Sequence, residues 1–126
     1  LSDVEWLVQL MQMRFGGTVP ALRTTSTLVA LDVCQQVQLV SETDAQRLRD
    51  AWLLASRVRA SGTLWNNRLT DVLPTDRDDL EGLARLLGMP PGSASELEEL
   101  YLGTTRRART VFERVFFDDD VRPVIV

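Results

Sequence analysis

Apolar residues recur at intervals of three and four along most of the chain, which is the period of a helix that buries one face. Strict alternation of apolar and polar residues, the pattern of a half-buried strand, is rare. The pattern therefore predicts an all-α protein with almost no sheet. The clearest stripes comprise Val4, Leu7, Val8, Met11 and Phe15, then Leu97, Leu100, Tyr101, Thr104, Ala108, Val111, Phe112 and Val115.

Capping residues and helix breakers divide these stripes into five predicted helices. Ser2 and Glu5 have the spacing of a capping box, and Gly16-Gly17 is expected to end the first helix, because glycine tolerates the left-handed conformation there. The other four helices are expected at about 27–38, 41–60, 77–87 and 94–117. Their start signals are Thr25 or Ser26, Ser41, Thr75 or Asp76, and Ser93.

The connections between these helices are short, which predicts an antiparallel bundle. We expect it to form a single domain over residues 1–117, with loops at 18–25 and 66–74. An acidic and then apolar tail follows at 118–126, and the sequence leaves open whether this tail is ordered. The chain opens with Leu1 instead of methionine, directly before a helix start. We therefore expect an excised piece of a longer protein.

Charge and composition limit the classes of partner that the protein is expected to bind. The net charge of −4 argues against nucleic acid or an anionic membrane as the main partner. The chain lacks an apolar run long enough to span a bilayer. A single cysteine, Cys34, cannot form an internal disulfide, which suits the reducing cytoplasm. These features predict a cytoplasmic protein.

Histidine is absent from the chain, and this limits the chemistry that it can perform. Without histidine, a single cysteine cannot complete a common zinc site or a Ser-His-Asp or Cys-His nucleophile. Gly16-Gly17 lacks the lysine of a phosphate-binding loop. We therefore expect no catalytic residue, no metal site and no bound cofactor. The chain is expected to be a binding, linking or regulatory module.

The first candidate site consists of Asp3, Glu5 and Gln9. Carboxylates in a first helical turn are favoured by the helix dipole, so capping alone explains Asp3 and Glu5. Alternatively, the three side chains face a neighbouring nucleotide-binding domain.

The second candidate is a set of arginines. Arg59 lies eleven residues beyond Leu48, so the helical period places it on the apolar side of the third helix. There it needs a carboxylate, which the acidic 71–79 segment offers, or it extends its guanidinium to water at the helix end. Arg106 and Arg107 form a solvated helix face or contact an acidic partner. Trp6, Trp52 and Trp65 are interpreted as core or interface residues.

Several segments then resemble one enzyme family. The opening LSDVEWLVQ is similar to the signature G-G-x-x-D-[IV]-E-aromatic-x-x-Q of bacterial glutamine-synthetase adenylyltransferases. Further similar segments are LRTTST at 22–27, RLTDVLP at 68–74, GMPPGS at 88–93 and YLGTTRRAR at 101–109. Their order covers nearly the whole chain, and the fit is best to the actinobacterial branch. Residues 60–67 depart from the family pattern, which leaves the end of the third helix open.

The resemblance implies a helical regulatory or scaffolding domain near the C-terminus of a bifunctional enzyme. That enzyme uses ATP and Mg²⁺ to transfer AMP to a tyrosine of glutamine synthetase, and it removes the AMP again. The implied partners are the nucleotidyltransferase domain of the same chain, glutamine synthetase and a PII signal protein. The alternatives are the equivalent bundle of a PII uridylyltransferase and a stand-alone helical interaction module.

Overall fold

The computed structural model describes residues 3–66, 73–118 and 120–124. It contains five α-helices: α1 (Asp3–Phe15), α2 (Thr27–Gln36), α3 (Glu42–Asn66), α4 (Arg77–Leu86) and α5 (Ala94–Phe116). A short 3-10 helix, Pro20–Leu22, lies between α1 and α2. The described residues contain no strand, so the predicted all-α class is confirmed. The antiparallel arrangement stays a prediction.

The described residues group into two compact units. Unit 1 comprises residues 1–52 and 106–126, and unit 2 comprises residues 53–105. The helices α3 and α5 each contribute residues to both units. The single domain expected over 1–117 stays a prediction. In the part of the chain that the structure describes, no helix has the length and hydropathy of a membrane span.

Unit 1 has its core between α1, α2, the first part of α3 and the second part of α5. All five apolar residues of the predicted α1 stripe are buried there. They pack with Leu22, Leu31 and Leu48, each of which is at most 1% exposed. Burial of such side chains is worth about 1.5–3 kcal/mol each, so this stripe accounts for much of the stability of the unit.

Unit 2 has a smaller core between the second part of α3, α4 and the start of α5. Val58, Leu80, Leu83 and Leu97 are fully buried in it. Leu100 belongs to the predicted apolar stripe of α5 but is 47% exposed, and Leu86 of α4 is 45% exposed. Each occupies an edge of its apolar stripe, where the 3.6-residue period alone does not decide burial.

The third helix is longer than expected and continues through Ser61 and Gly62 to Asn66. The sequence left the end of this helix open between residues 60 and 67, and Gly62 does not end it, because a single interior glycine weakens a helix by only about 1 kcal/mol. The loop prediction for 66–74 falls mostly on residues 67–72, which lie outside the described residues.

Most of the predicted helix starts are confirmed by hydrogen bonds. Ser26 Oγ accepts from the Val29 N–H at 3.3 Å, and Ser41 Oγ accepts from the Asp44 N–H at 3.1 Å. A carboxylate oxygen of Asp76 accepts from the Asp78 N–H at 2.8 Å. The capping box at Ser2 lies outside the described residues.

The first helix ends before Gly16, as predicted, but for a different reason. Positive φ occurs at Gly88 and Gly92 among the described glycines, and Gly16 adopts no such conformation. A Cβ atom on Gly16 would lie 2.5 Å from the backbone oxygen of Gln12. Gly16 is therefore needed because of close backbone approach.

The C-terminal tail packs against unit 1. Val121 contacts the core of the unit, and the Val124 N–H donates to the Val37 carbonyl at 2.6 Å. The sequence left the order of this tail open, and in the structure Val121 covers apolar surface of the unit.

Candidate functional site

A polar cleft of about 390 Å³ lies in unit 1, between one side of α1 and the segment that leads into α2. The α1 residues follow one another at intervals of three and four, so they share a face of the helix. The opposite wall consists of four consecutive hydroxyl-bearing residues. The lining residues are Glu5, Val8, Gln9, Gln12, Thr24, Thr25, Ser26 and Thr27.

Gln12 joins the two walls of the cleft. Its Nε2 donates to the Leu22 carbonyl and to the Thr24 carbonyl, both at 2.8 Å. An amide nitrogen carries two hydrogens, so both are used in these bonds. Gln12 therefore anchors the 22–24 segment beside α1.

Further hydrogen bonds hold the wall that precedes α2. The Ser26 N–H donates to Thr24 Oγ1 at 3.2 Å, and Ser26 Oγ caps α2 through the Val29 N–H. At the base of the loop, Arg23 Nε donates to the Gly16 carbonyl at 2.8 Å. These bonds satisfy backbone groups that a loop would otherwise expose, and they give the wall a defined shape.

The lining of the cleft is polar and weakly acidic. It contains one carboxylate, two amides and four hydroxyls, with Val8 as its apolar component. Among the described lining residues none is basic. Carboxylate, amide and hydroxyl oxygens all accept hydrogen bonds, so the cleft suits a small ligand that offers several donors.

The three predicted α1 residues divide between two places. Glu5 and Gln9 both line the cleft, with Glu5 half-buried and Gln9 exposed. Asp3 instead accepts from Arg109 Nη1 at 2.9 Å, which links the start of α1 to α5 within unit 1. Arg109 Nε also donates to Glu113 at 3.0 Å, and the hydrogen bond that Arg109 donates to Asp3 is the main cause of the raised pKa of the Arg109 guanidinium.

The structure places the predicted arginines at exposed positions on two helices, and the pairing of Arg59 with a carboxylate of the 71–79 segment stays a prediction. Arg59 is exposed, so its expected place on the apolar side of α3 is wrong. In unit 2 the buried α3 side chains are Val58 and, in part, Leu54, so the apolar stripe there does not continue from Leu48 at the 3.6-residue period. Arg106 and Arg107 are exposed on α5, and their contact with an acidic partner stays a prediction.

Two of the tryptophans can be placed, and they differ in burial. Trp52 packs against the core of unit 1, whereas Trp6 is 52% exposed. The side chain of Trp65 lies outside the described residues. The interpretation of Trp52 as a core residue agrees with its packing, and Trp6 is available for an interface.

Two ionisable groups outside the cleft have shifted pKa values. The Gly92 N–H donates to Glu81 at 2.6 Å, and together with the Ala94 N–H it lowers the pKa of this carboxyl below 4.5. Burial raises the pKa of the Cys34 thiol to about 12. Glu81 therefore caps the start of α5 as a carboxylate, while Cys34 remains a protonated core residue.

Sequence reasoning missed Gln12 and Glu81 as structural residues. Each is polar and lies beside buried positions of an amphipathic helix, at Met11 and Leu80 respectively. This position in the sequence could have identified them, because a polar side chain at the border of the core needs a hydrogen-bond partner. The partners lie ten or more residues away and are not visible in the local pattern.

Fold and cleft together define a helical binding or linking domain. A family model described as GlnD PII-uridylyltransferase matches residues 1–116, and the chain belongs to this family.

Similarity to individual proteins identifies the type of enzyme more specifically than the family model does. The chain is 58% identical over 98% of its length to the bifunctional glutamine synthetase adenylyltransferase/adenylyl-removing enzyme of Leifsonia xyli subsp. xyli. The proteins of the same name in Streptomyces coelicolor and Mycobacterium leprae are 44% and 43% identical to it, over 93% and 92% of the chain. The resemblance to the actinobacterial adenylyltransferases is thus confirmed. The chain spans 12% of the length of each of these relatives.

Proposed function

We propose that this chain is a regulatory or scaffolding domain of a bifunctional enzyme that attaches AMP to glutamine synthetase and removes it. The observation that supports this proposal most strongly is the 58% identity, over nearly the whole chain, to an enzyme of that name. The match covers 98% of the chain and therefore includes residues of both units.

Within such an enzyme this chain contributes structure and binding, whereas the transfer of AMP belongs to another part of the polypeptide. The chain has no histidine and no phosphate-binding loop. In the described residues no three acidic, cysteine or histidine side chains lie together as metal ligands. We propose that ATP and Mg²⁺ bind to the nucleotidyltransferase domain of the same polypeptide, in the cytoplasm.

The cleft and its surroundings are the proposed contact with that domain. Glu5 and Gln9 would face it, and exposed Trp6 on the same helix supplies the large apolar surface common in interfaces. Asp3 fastens α1 to Arg109 and so fixes the position of this surface. The exposed arginines Arg106 and Arg107 are proposed contacts with glutamine synthetase or a PII signal protein.

The matching family description favours a second candidate, in which the domain belongs to an enzyme that uridylylates a PII protein. Both candidates are nucleotidyl transfers to a protein, and they differ in nucleotide and acceptor. The names of the relatives from Leifsonia, Streptomyces and Mycobacterium favour the adenylyltransferase.

One experiment separates these candidates. The longer protein that contains this chain is incubated with glutamine synthetase or PII, Mg²⁺, and labelled ATP or UTP. We expect label from ATP on glutamine synthetase, and none when this chain alone replaces the longer protein. Label from UTP on PII would replace the proposal with the second candidate. Transfer by the chain alone would contradict its scaffolding role.

A further inference from the structure

The cleft between α1 and residues 24–27 has the dimensions of a small-molecule site. Its volume of about 390 Å³ lies at the lower end of the range of 300–1,000 Å³ that is usual for ligand pockets. The hydrogen bonds of Gln12 and Ser26 hold its walls without a ligand. A preformed wall lowers the entropy that is lost on binding.

The lining disfavours a phosphate as the bound group, and at the start of α2 the Val29 N–H already donates to Ser26 Oγ. Phosphates in proteins are held mainly by arginine, lysine or rows of backbone N–H groups. The described lining has no basic side chain, and its one ionisable residue is Glu5. A phosphate beside this carboxylate would be repelled, so an anionic ligand would have to keep its charged end outside the cleft.

The hydrogen-bonding groups of the lining indicate which kind of ligand group the cleft binds instead of a phosphate. A carboxylate has two oxygens and about four acceptor sites, so Glu5 can accept from adjacent hydroxyls while it keeps other contacts. Acidic side chains bind ribose hydroxyls in this way in dinucleotide-binding proteins. Gln9 and the hydroxyl of Thr25 add donors and acceptors for further polar edges.

We propose that the cleft binds the nucleoside part of an adenine nucleotide, with the ribose hydroxyls at Glu5 and the phosphates outside. The choice of adenosine rests on the proposed function, since adenylyl transfer requires that nucleoside. In the longer enzyme the phosphates would then extend toward the catalytic domain.

The test measures binding on this chain directly. Adenosine, 2′,3′-dideoxyadenosine and tripolyphosphate are titrated into the isotope-labelled chain, and amide shifts are followed by NMR. We expect adenosine to shift the resonances of residues 24–27, dideoxyadenosine to bind about tenfold more weakly, and tripolyphosphate to leave them unchanged. Glu5→Gln should weaken adenosine binding by a similar factor.

Matched variants separate binding from folding. Glutamine also serves in a capping box, so Glu5→Gln should keep the fold. Thr25→Val is a second cleft variant, in a segment outside the helices, and should also weaken binding. Glu98→Gln, an exposed change on α5, should bind adenosine as the unaltered chain does.

Absence of shifts up to the solubility limit of adenosine would overturn the proposal. Two further results would also overturn it: equal affinity of the chain for adenosine and dideoxyadenosine, or equal affinity of the unaltered chain and Glu5→Gln for adenosine. Shifts caused by tripolyphosphate would assign the cleft to phosphate instead.

Failure of this inference and failure of the proposed function give different results. If the longer protein labels glutamine synthetase with AMP but adenosine does not bind the cleft, only the inference is wrong. If adenosine binds the cleft but glutamine synthetase is not labelled, only the proposed function is wrong.

Discussion

Single polar side chains at the borders of the cores decide local geometry in this protein. Gln12 donates hydrogen bonds to two backbone carbonyls, and Glu81 accepts hydrogen bonds from two backbone N–H groups at the start of α5. Each replaces water at groups that would otherwise remain unsatisfied at the edge of the core. Their removal should therefore cost more than the loss of an ordinary surface residue.

Gln12→Leu should destabilise unit 1. Leucine has a similar size but removes the Gln12 donor from the Thr24 carbonyl and leaves the Leu22 carbonyl with the Thr24 N–H alone, at a cost of about 1–3 kcal/mol. Urea unfolding monitored by circular dichroism measures the change. Gln36→Leu, an exposed change on α2, is the matched control and should stay within about 0.5 kcal/mol. Equal effects of the two changes would show that the bonds of Gln12 do not stabilise the unit.

Glu81 should make the stability of unit 2 depend on pH. Its folded pKa is lowered, so its contribution is present above the unfolded pKa near 4.5 and is lost as the pH falls through the folded value. The unfolding free energies of the unaltered chain and of Glu81→Gln should therefore differ at neutral pH and converge in acid. A difference that stays constant down to the acid end of the titration would contradict this cap.

At the level of helices, the end of α4 is stabilised by a side chain from α3. Arg57 Nη2 donates to the Leu87 carbonyl at 2.9 Å, where α4 ends. A cation at a helix C-terminus is favoured by the helix dipole and satisfies a free carbonyl. The helical period predicted a paired arginine at Arg59, whereas Arg57, two positions earlier, makes this contact.

Arg57→Ala should lower the unfolding free energy by about 0.5–1 kcal/mol. Arg47→Ala, an exposed change on the same helix, should change it by less than about 0.5 kcal/mol, because an exposed arginine away from a helix end contributes little. Chemical denaturation of the two variants in parallel provides the measurement. Equal losses for the two variants would show that the hydrogen bond of Arg57 does not stabilise the end of α4.

Over the whole chain, contacts between distant segments complete unit 1. Arg109 and Arg114 of α5 pair with Asp3 and Asp44, more than sixty positions away in each case. The tail adds Val121 to the core and one hydrogen bond to Val37. Unit 1 therefore depends on residues from both ends of the chain.

Deletion of residues 121–126 should destabilise unit 1 by about 1–2 kcal/mol, because it removes a partly buried valine and a backbone hydrogen bond. The thermal unfolding midpoint should fall, and hydrogen exchange should rise at the end of α2, around Val37. Unchanged exchange at these amides after the deletion would mean that the tail contributes nothing to the unit.

Local patterns were sufficient to predict the helices and most of their starts. Ser26, Ser41 and Asp76 cap the helices that their positions indicated, since a cap acts on amides two or three residues away. The buried stripe of α1 also followed from its 3.6-residue period. The same opening segment carried the family resemblance and two of the cleft residues, Glu5 and Gln9.

The tertiary structure decided which polar residues meet. The cleft exists because the 24–27 segment lies against α1, and the partners of Gln12, Glu81 and Arg57 are ten to thirty positions away. The exposure of Arg59 has a similar origin, because the neighbours of α3 differ between units 1 and 2 and its buried face changes with them. Helical periodicity identifies the residues that share a face, but the neighbouring elements determine which face is buried.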